Sequence, residues 1–165
     1  MNGRRSSHSF TVIIQARMLS KRLPGKSMLE ISGKPLVDHV IERAKAIPGV
    51  GTVVLATGND PANIILAERA RANGVVFFAG SDENVLERYV MAARAYPASH
   101  IIRITADNPF TDPEYAGTAA EIAVESGADL TSVVNIPLGT GVEIIKRDAL
   151  EDAYINASTG YHREH

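Results

Sequence analysis

The 165-residue sequence predicts an α/β domain with a mainly parallel β-sheet and helices on both of its faces. Short runs rich in β-branched residues alternate with longer segments of helical periodicity, a pattern typical of right-handed βαβ crossovers. The first run, residues 11–16, is apolar on both faces, as expected for a strand in the middle of a helix-covered sheet. The length suits one domain with a sizeable core.

Six strands and five helices are predicted in alternation along the chain. The strands cover residues 11–16, 52–57, 75–78, 100–104, 129–134 and 142–145, and the helices lie over residues 36–47, 61–73, 85–93, 113–126 and 148–157. Pro35 suits the first turn of its helix, and Gly127 ends the fourth helix. Asp60 is expected to cap the second helix and Ser81 or Asp82 the third.

Composition excludes several classes of function. The formal net charge of -2 and the pI of about 6.2 argue against a nucleic-acid partner, which requires a basic surplus. The absence of cysteine excludes disulfides, thiolate zinc sites and cysteine nucleophiles. No apolar stretch approaches the ~20 residues that span a membrane, and the polar residues 1–9 do not form a secretory signal. We therefore expect a cytoplasmic protein with no membrane partner and a disordered terminus over residues 1–9.

A basic loop follows the first strand, where open α/β sheets bind their ligands. It contains Arg17, Lys21, Arg22 and Lys26, and four cations on one loop indicate an anion site, most simply for a polyphosphate. Residues 20–27 also come within one residue of a P-loop, which keeps a phosphotransferase as an alternative. The turn-forming residues shortly after Lys26 argue against the long helix that a P-loop lysine opens.

Other polar residues end later strands. Asp107 lies in a turn after the fourth strand, where it could bind Mg²⁺ together with substrate phosphates or simply favour the turn. Ser81 could cap its helix or contact a base or ribose. Glu143, which follows two glycines, and His162 near the end of the chain are candidates for contact with a sugar.

Five motifs follow one another along the chain, namely Ile14–Arg17, Arg22–Lys26, Ser32–Leu36, Gly80–Tyr89 and Arg103–Pro109. Together they resemble the cytidylyltransferase family, which includes CMP-sugar synthetases, and most closely its spore-coat polysaccharide branch. The resemblance runs from about residue 11 to the end of the chain. It implies a Rossmann-like nucleotidyltransferase fold, with a reaction that transfers CMP from CTP to a sugar or sugar acid and releases pyrophosphate in surface polysaccharide biosynthesis.

The resemblance also implies roles for individual residues. The nucleotide would be bound by Gln15, Ala16, Arg17, Ser20, Arg22, Lys26, Ser81 and Asp107. Of these, Arg17, Arg22, Lys26 and Asp107 form the catalytic set, and Asp107 holds Mg²⁺. Leu19 replaces a small glycine of the family, and Gly141 replaces a common acidic residue.

Members of the family are usually longer than this chain. The segment that follows in them carries a dimerisation element and a second metal carboxylate. We therefore expect a nucleotidyltransferase domain over residues 10–165 that is truncated at its C-terminus, with a homodimer possible for a longer chain. A non-catalytic nucleotide-binding module remains the alternative.

Overall fold

The computed structural model describes residues 9–20 and 23–164 of the chain. Within these ranges the strands are β1 (Phe10–Gln15), β2 (Glu30–Ile31), β3 (Lys34–Pro35), β4 (Val50–Gly58), β5 (Val76–Gly80), β6 (His100–Thr105), β7 (Leu130–Ser132) and β8 (Glu143–Lys146). The helices are α1 (Leu36–Lys45), α2 (Ile64–Ala72), α3 (Val85–Ala95), α4 (Pro113–Ser126), α5 (Arg147–Asn156) and α6 (Gly160–Glu164), with 3₁₀ turns at Lys26–Met28 and Pro61–Asn63.

Six strands form one sheet in the order β5-β4-β1-β6-β8-β7. The pairs β4–β5, β1–β4 and β1–β6 are parallel, whereas β8 runs antiparallel to both β6 and β7. The predicted mainly parallel α/β sheet is therefore confirmed. The direction of β8 follows from its connection, because a strand reached from β7 through a loop without a crossover helix pairs antiparallel with it.

The core lies on both faces of the central strand β1. Val12 and Ile14 face the cluster formed with α1, α2 and α4, whereas Ile13 faces the cluster formed with α3 and α5. All three residues are fully buried. Because side chains alternate along a strand, a strand covered on both sides must be apolar at successive positions, which is the pattern that predicted its central place.

The chain order places a topological switch point at the carboxyl end of β1. The next strand of the large sheet in sequence, β4, pairs with one side of β1, and β6 pairs with the other. The connections that follow β1 and β6 therefore leave the same edge of the sheet in different directions and open a crevice between them. The basic loop follows β1, and Asp107 follows β6.

The segment between β1 and α1 is a turn and a small hairpin. Gly25 has a φ of 73° and its backbone N–H donates to Met18 O at 2.8 Å. Strands β2 and β3 then pair around Ser32 and Gly33, which have φ values of 53° and 75°. Two successive positive φ angles define the two-residue turn that suits a right-twisted hairpin. This hairpin and helix α6 were not predicted from the sequence.

The predicted cap of α3 was wrong. The N-cap is Asn84, whose side-chain oxygen accepts a hydrogen bond from Glu87 N at 3.0 Å. Ser81 stands one turn earlier, where its hydroxyl accepts from Asn84 N at 3.0 Å. Both residues thus belong to the loop that enters the helix. Within the described part of the chain, no helix is long and apolar enough to cross a bilayer.

Candidate functional site

The charged crevice lies at the carboxyl edge of the sheet, between the connections that follow β1 and β6. Lys26 Nζ lies 2.6 Å from Asp107 Oδ2, across 81 positions of sequence. The two side chains border a cavity of about 210 Å³. Among the described residues, those that line it are Gln15, Ala16, Arg17, Ser20, Lys26, Ser27, Thr105, Ala106 and Asp107.

Backbone hydrogen bonds fix the two walls of this crevice relative to each other. Ala106 N donates to Gln15 O at 2.9 Å, and Ala16 N donates to Ala56 O at 3.0 Å, so pairing continues just beyond the strands. On the basic side, Met18 N donates to the side-chain oxygen of Asn63 at 2.9 Å. The loop that carries Lys26 is thereby tied to β6 through the sheet and to the turn after β4.

The charge of Asp107 is stabilised by its surroundings. Partial burial raises the pKa of this carboxyl group, but hydrogen bonds from Lys26 and Thr105 and the charge of Lys26 outweigh that effect. The pKa of Asp107 consequently lies below its usual value of 3.8, and the side chain is a carboxylate at neutral pH. An ionised oxygen ligand beside a cationic loop has the chemistry needed to bind a divalent cation that also binds phosphate.

The structure brings together most of the residues predicted for nucleotide binding. Gln15, Ala16, Arg17, Ser20, Lys26 and Asp107 all line the crevice. Arg22 and Lys21 lie outside the described residues. Their predicted contact with phosphate, and the assigned roles of the other residues, stay predictions. Ser27 and Thr105 also line the crevice and were not singled out from the sequence, although Thr105 stands in the motif that contains Asp107.

Ser81 does not line the crevice, although it leaves the same edge of the sheet at the end of β5. Its loop is held by several hydrogen bonds. Arg88 donates from Nε to Ser81 O at 2.9 Å and from Nη2 to Asp82 O at 3.2 Å. The carboxylate of Asp82 in turn accepts from Asp60 N at 3.2 Å. The loop is therefore fixed in place, with both carbonyl groups facing α3.

Arg88 is the most unusual of these residues. Its side chain is only 1% exposed, and its Nη1 has no hydrogen-bond partner among the described residues. Burial lowers the pKa of the guanidinium, and the positive charge of Arg17 acts in the same direction. Sequence reasoning missed this residue, but the available signal was a cation within the apolar stripe of α3.

Glu143 lies at a second cavity, next to the crevice. It forms an ion pair with Arg103, its cross-strand partner on β6. The cavity has a volume of about 310 Å³ and is lined by these two residues, Thr105, Asn108 and parts of the segment 132–142. Thr105 also lines the crevice, so the two spaces adjoin at this residue. The predicted location of Glu143 near the cleft is consistent with this arrangement.

His162 borders a third cavity, of about 540 Å³, between α3, β8, α5 and α6. Arg103 and Glu143 also line it, but none of the described residues lines both this cavity and the crevice around Lys26. His162 and Glu143 thus line the same cavity, and His162 does not line the crevice. Arg103 lines both this cavity and the one of about 310 Å³, and its Cζ atom lies 5.7 Å from the ring centroid of Tyr89.

The loop at Lys26 does not form a P-loop. A P-loop lysine opens a long helix, but Lys26 begins a 3₁₀ turn of three residues that is followed by the β2–β3 hairpin. The geometry at this site removes the basis for the phosphotransferase alternative.

A mainly parallel sheet with a charged crevice at its switch point is the arrangement of a Rossmann-like fold that binds its ligand at the carboxyl ends of the strands. The chain belongs to the cytidylyltransferase family, since a model of the family described as "Cytidylyltransferase" matches residues 11–165. The family resemblance and the fold class predicted from the sequence are thus confirmed.

Two relatives and one solved structure illustrate the similarity. The spore coat polysaccharide biosynthesis protein SpsF of Bacillus subtilis (strain 168) is 36% identical over 166 residues, which cover 93% of this chain and 69% of SpsF. A 3-deoxy-manno-octulosonate cytidylyltransferase of Anaeromyxobacter dehalogenans (strain 2CP-C) is 33% identical, with 92% of this chain and 64% of that protein covered. A cytidylyltransferase structure from Leptospira borgpetersenii serovar Hardjo-bovis (strain JB197) aligns with a TM-score of 0.88 at 28% identity, over 94% of this chain and 68% of that one. The chain thus spans about two thirds of the length of these proteins.

Proposed function

We propose that the chain transfers CMP from CTP to a hydroxyl group of a sugar or sugar acid and releases pyrophosphate. The observation that carries this proposal is the pairing of Lys26 with Asp107 in a crevice at the switch point of the sheet. A cation and a carboxylate at this place match the two needs of a metal–triphosphate, since one binds phosphate oxygens and the other a divalent cation. The names of SpsF and the octulosonate enzyme support cytidine as the base and surface polysaccharide biosynthesis as the purpose.

The chemistry requires positioning and charge stabilisation more than a protein nucleophile. The acceptor hydroxyl attacks the α-phosphate and loses its proton to water, and the bond from this phosphorus to the bridging oxygen of pyrophosphate breaks. Lys26 and Arg17 would stabilise the negative charge that grows on the departing pyrophosphate, with Arg22 as a further predicted contact. Gln15 and Ala16 would line the nucleotide, and Ser81 remains a predicted contact to its base or ribose.

Asp107 is the residue proposed to bind Mg²⁺. Its carboxylate is ionised, partly exposed and directed at the crevice, so the donor chemistry fits a hard divalent cation. When bound, Mg²⁺ would supply charge neutralisation at the phosphate oxygens. Asp107 is the only acidic side chain among the described residues that line the crevice, and the nucleotide phosphates would supply further oxygen ligands.

The cavity next to the crevice is the proposed acceptor site. It adjoins the crevice at Thr105, so an acceptor placed there would have a hydroxyl close to the bound nucleotide. The ion pair of Arg103 and Glu143 offers both donors and acceptors to sugar hydroxyl groups. His162 lies farther along, at the cavity that shares this ion pair, and would reach only the distal part of an acceptor.

The direct test is pyrophosphate release by the full chain with Mg²⁺ and each of CTP, ATP, GTP and UTP, over a panel of neutral sugars and sugar acids. We expect release with CTP in the presence of at least one acceptor. Lys26→Ala and Asp107→Asn should each lower kcat/KM on the order of 100-fold, the loss typical of a deleted charge-stabilising group. Glu42→Gln provides the control, because Glu42 forms an exposed ion pair with Lys34 away from the crevice lining.

Two outcomes would contradict the proposal. Equal binding of all four nucleotides by calorimetry, without release of pyrophosphate, would contradict the proposed cytidylyltransferase activity. Turnover at the wild-type rate by Lys26→Ala or Asp107→Asn would contradict the role proposed for the substituted residue, which is phosphate binding for Lys26 and metal binding for Asp107. CTP-selective binding without pyrophosphate release over the whole panel would instead identify the alternative, a nucleotide-binding module.

A further inference from the structure

The ion pair in the crevice has a consequence for the order in which ligands bind. Lys26 Nζ lies 2.6 Å from Asp107 Oδ2, a distance at which the ammonium group occupies the space that a metal ion would need at the same oxygen. The hydrogen bond from Lys26 is also one of the contacts that lower the pKa of this carboxyl group. Without a nucleotide, the charge of Asp107 is therefore already neutralised by a side chain of the protein.

Among the described residues that line the crevice, Asp107 is the only acidic side chain. Within residues 9–20 and 23–164, no group of three or more histidine or acidic side chains could hold a metal ion. The nearby lining adds the positive charge of Arg17. A free divalent cation thus meets one carboxylate that is already paired, and it must displace an ammonium group to reach that oxygen.

We propose that Lys26 occupies the Oδ2 atom of Asp107 until nucleotide phosphates arrive, so that the metal ion and the nucleotide bind together. This inference rests on the proposed function of the crevice. Lysine is suited to the exchange because its ammonium group is a compact charge on a flexible stem with three donors. The phosphates offer Lys26 a stronger partner than one carboxylate, and its departure frees Asp107 for the cation that the phosphates bring with them.

The move of Lys26 from Asp107 to the phosphates couples the binding of the metal ion to the binding of the nucleotide. Because coupling between binding sites is reciprocal, nucleotide must raise the affinity for the metal by the factor by which the metal raises the affinity for nucleotide. Removing the ammonium group should therefore raise the affinity of Asp107 for the metal ion in the absence of nucleotide. It should also weaken nucleotide binding, because a phosphate contact is lost.

The test is a titration of the full chain with Mn²⁺ alone, with free Mn²⁺ measured by electron paramagnetic resonance. We expect the wild-type chain to bind Mn²⁺ weakly and Lys26→Met to bind it more tightly, on the order of fivefold, as expected for loss of a partly exposed ion pair. Lys34→Met is the matched control, since Lys34 forms an exposed ion pair with Glu42 at 2.7 Å outside the crevice lining. The double variant Lys26→Met/Asp107→Asn should lose the gain in Mn²⁺ affinity.

Three results would overturn the inference. They are equal Mn²⁺ affinity in the wild-type chain and Lys26→Met, an equal gain in Lys34→Met, and a gain that survives Asp107→Asn. Urea unfolding of each variant verifies that the fold is retained. The titration contains no nucleotide, so its failure is distinct from a failure of CTP-dependent transfer, which the pyrophosphate assay detects by itself.

Discussion

Gly58 marks the closest approach between the end of β4 and the loop before α3. A Cβ atom added to Gly58 would lie 1.8 Å from Asp82 Oδ1, 2.6 Å from its Cγ and 3.0 Å from its Cα. The first two atoms can move away with the side chain, but the Cα belongs to the backbone of the loop that contains Ser81. Gly58→Ala is therefore expected to displace this loop.

The expected cost follows from these contacts. Overpacking against backbone costs about 1 to 3 kcal/mol. The hydrogen bond from Asp60 N to Asp82 Oδ1 would be lost as well, for about 1 kcal/mol. Alanine restricts the unfolded chain more than glycine does, and this effect stabilises the folded state by about 0.4 to 1 kcal/mol. We expect Gly58→Ala to lower the free energy of unfolding by about 2 kcal/mol.

Gly51→Ala provides the control for urea unfolding. Its added Cβ would lie 2.1 Å from the hydroxyl oxygen of Ser9, but Ser9 is exposed and its hydroxyl can rotate away. The unfolding free energy should therefore change by less than about 0.5 kcal/mol. Equal losses of stability in the two variants would refute the reasoning that the backbone at Asp82, rather than the side-chain contact, sets the cost. We also expect Gly58→Ala, but not Gly51→Ala, to weaken CTP binding if Ser81 contacts the nucleotide.

Two further predictions concern stability. Asp112 caps α4 by accepting hydrogen bonds from Glu114 N and Tyr115 N at 3.0 Å, so Asp112→Ala should cost about 1 kcal/mol by urea unfolding and Asp112→Asn much less. Burial raises the pKa of Tyr89 to about 12 from 10.0, while the nearby Arg103 opposes the shift. Because the folded pKa is the higher one, the stability from the neutral phenol is complete below pH 10 and is lost as the pH rises toward 12. The wild-type chain should lose about 1 kcal/mol more than Tyr89→Phe between pH 9 and pH 11, and equal losses would show that Tyr89 titrates normally.

Much of the fold and part of the site could be predicted because their signals are local. The doubly apolar run of β1 indicated a central strand, and because the basic loop and Asp107 each follow a strand of a mainly parallel sheet, they could be expected at one edge of it. Gly127 ends α4 as predicted, with a φ of 67° that suits glycine. Each of these features depends on residue types within a few positions of one another.

The features that were missed depend on contacts between distant segments or on very short elements. Strands of two residues in the β2–β3 hairpin have no periodicity to detect, and only the turn at Ser32 and Gly33 marks them. The cap of α3 was misplaced because Ser81, Asp82 and Asn84 are all good caps, and tertiary contacts of Arg88 and Asp82 select the last. The Nη1 atom of Arg88, which has no hydrogen-bond partner among the described residues, and the ion pair of Arg103 with Glu143 are visible only once the helix and the strands are placed.

The location of a bound metal–nucleotide is the most direct test of the account, and a chain of 17.7 kDa is suited to nuclear magnetic resonance. Mn²⁺ with CTP should broaden amide signals by paramagnetic relaxation in a zone centred on Lys26, Ser27, Ala106 and Asp107. Signals of Ala153 and His162, which line the separate cavity of about 540 Å³, should broaden less. Broadening centred on that cavity, or spread evenly over the surface, would contradict the claim that the Lys26–Asp107 crevice binds the metal–triphosphate.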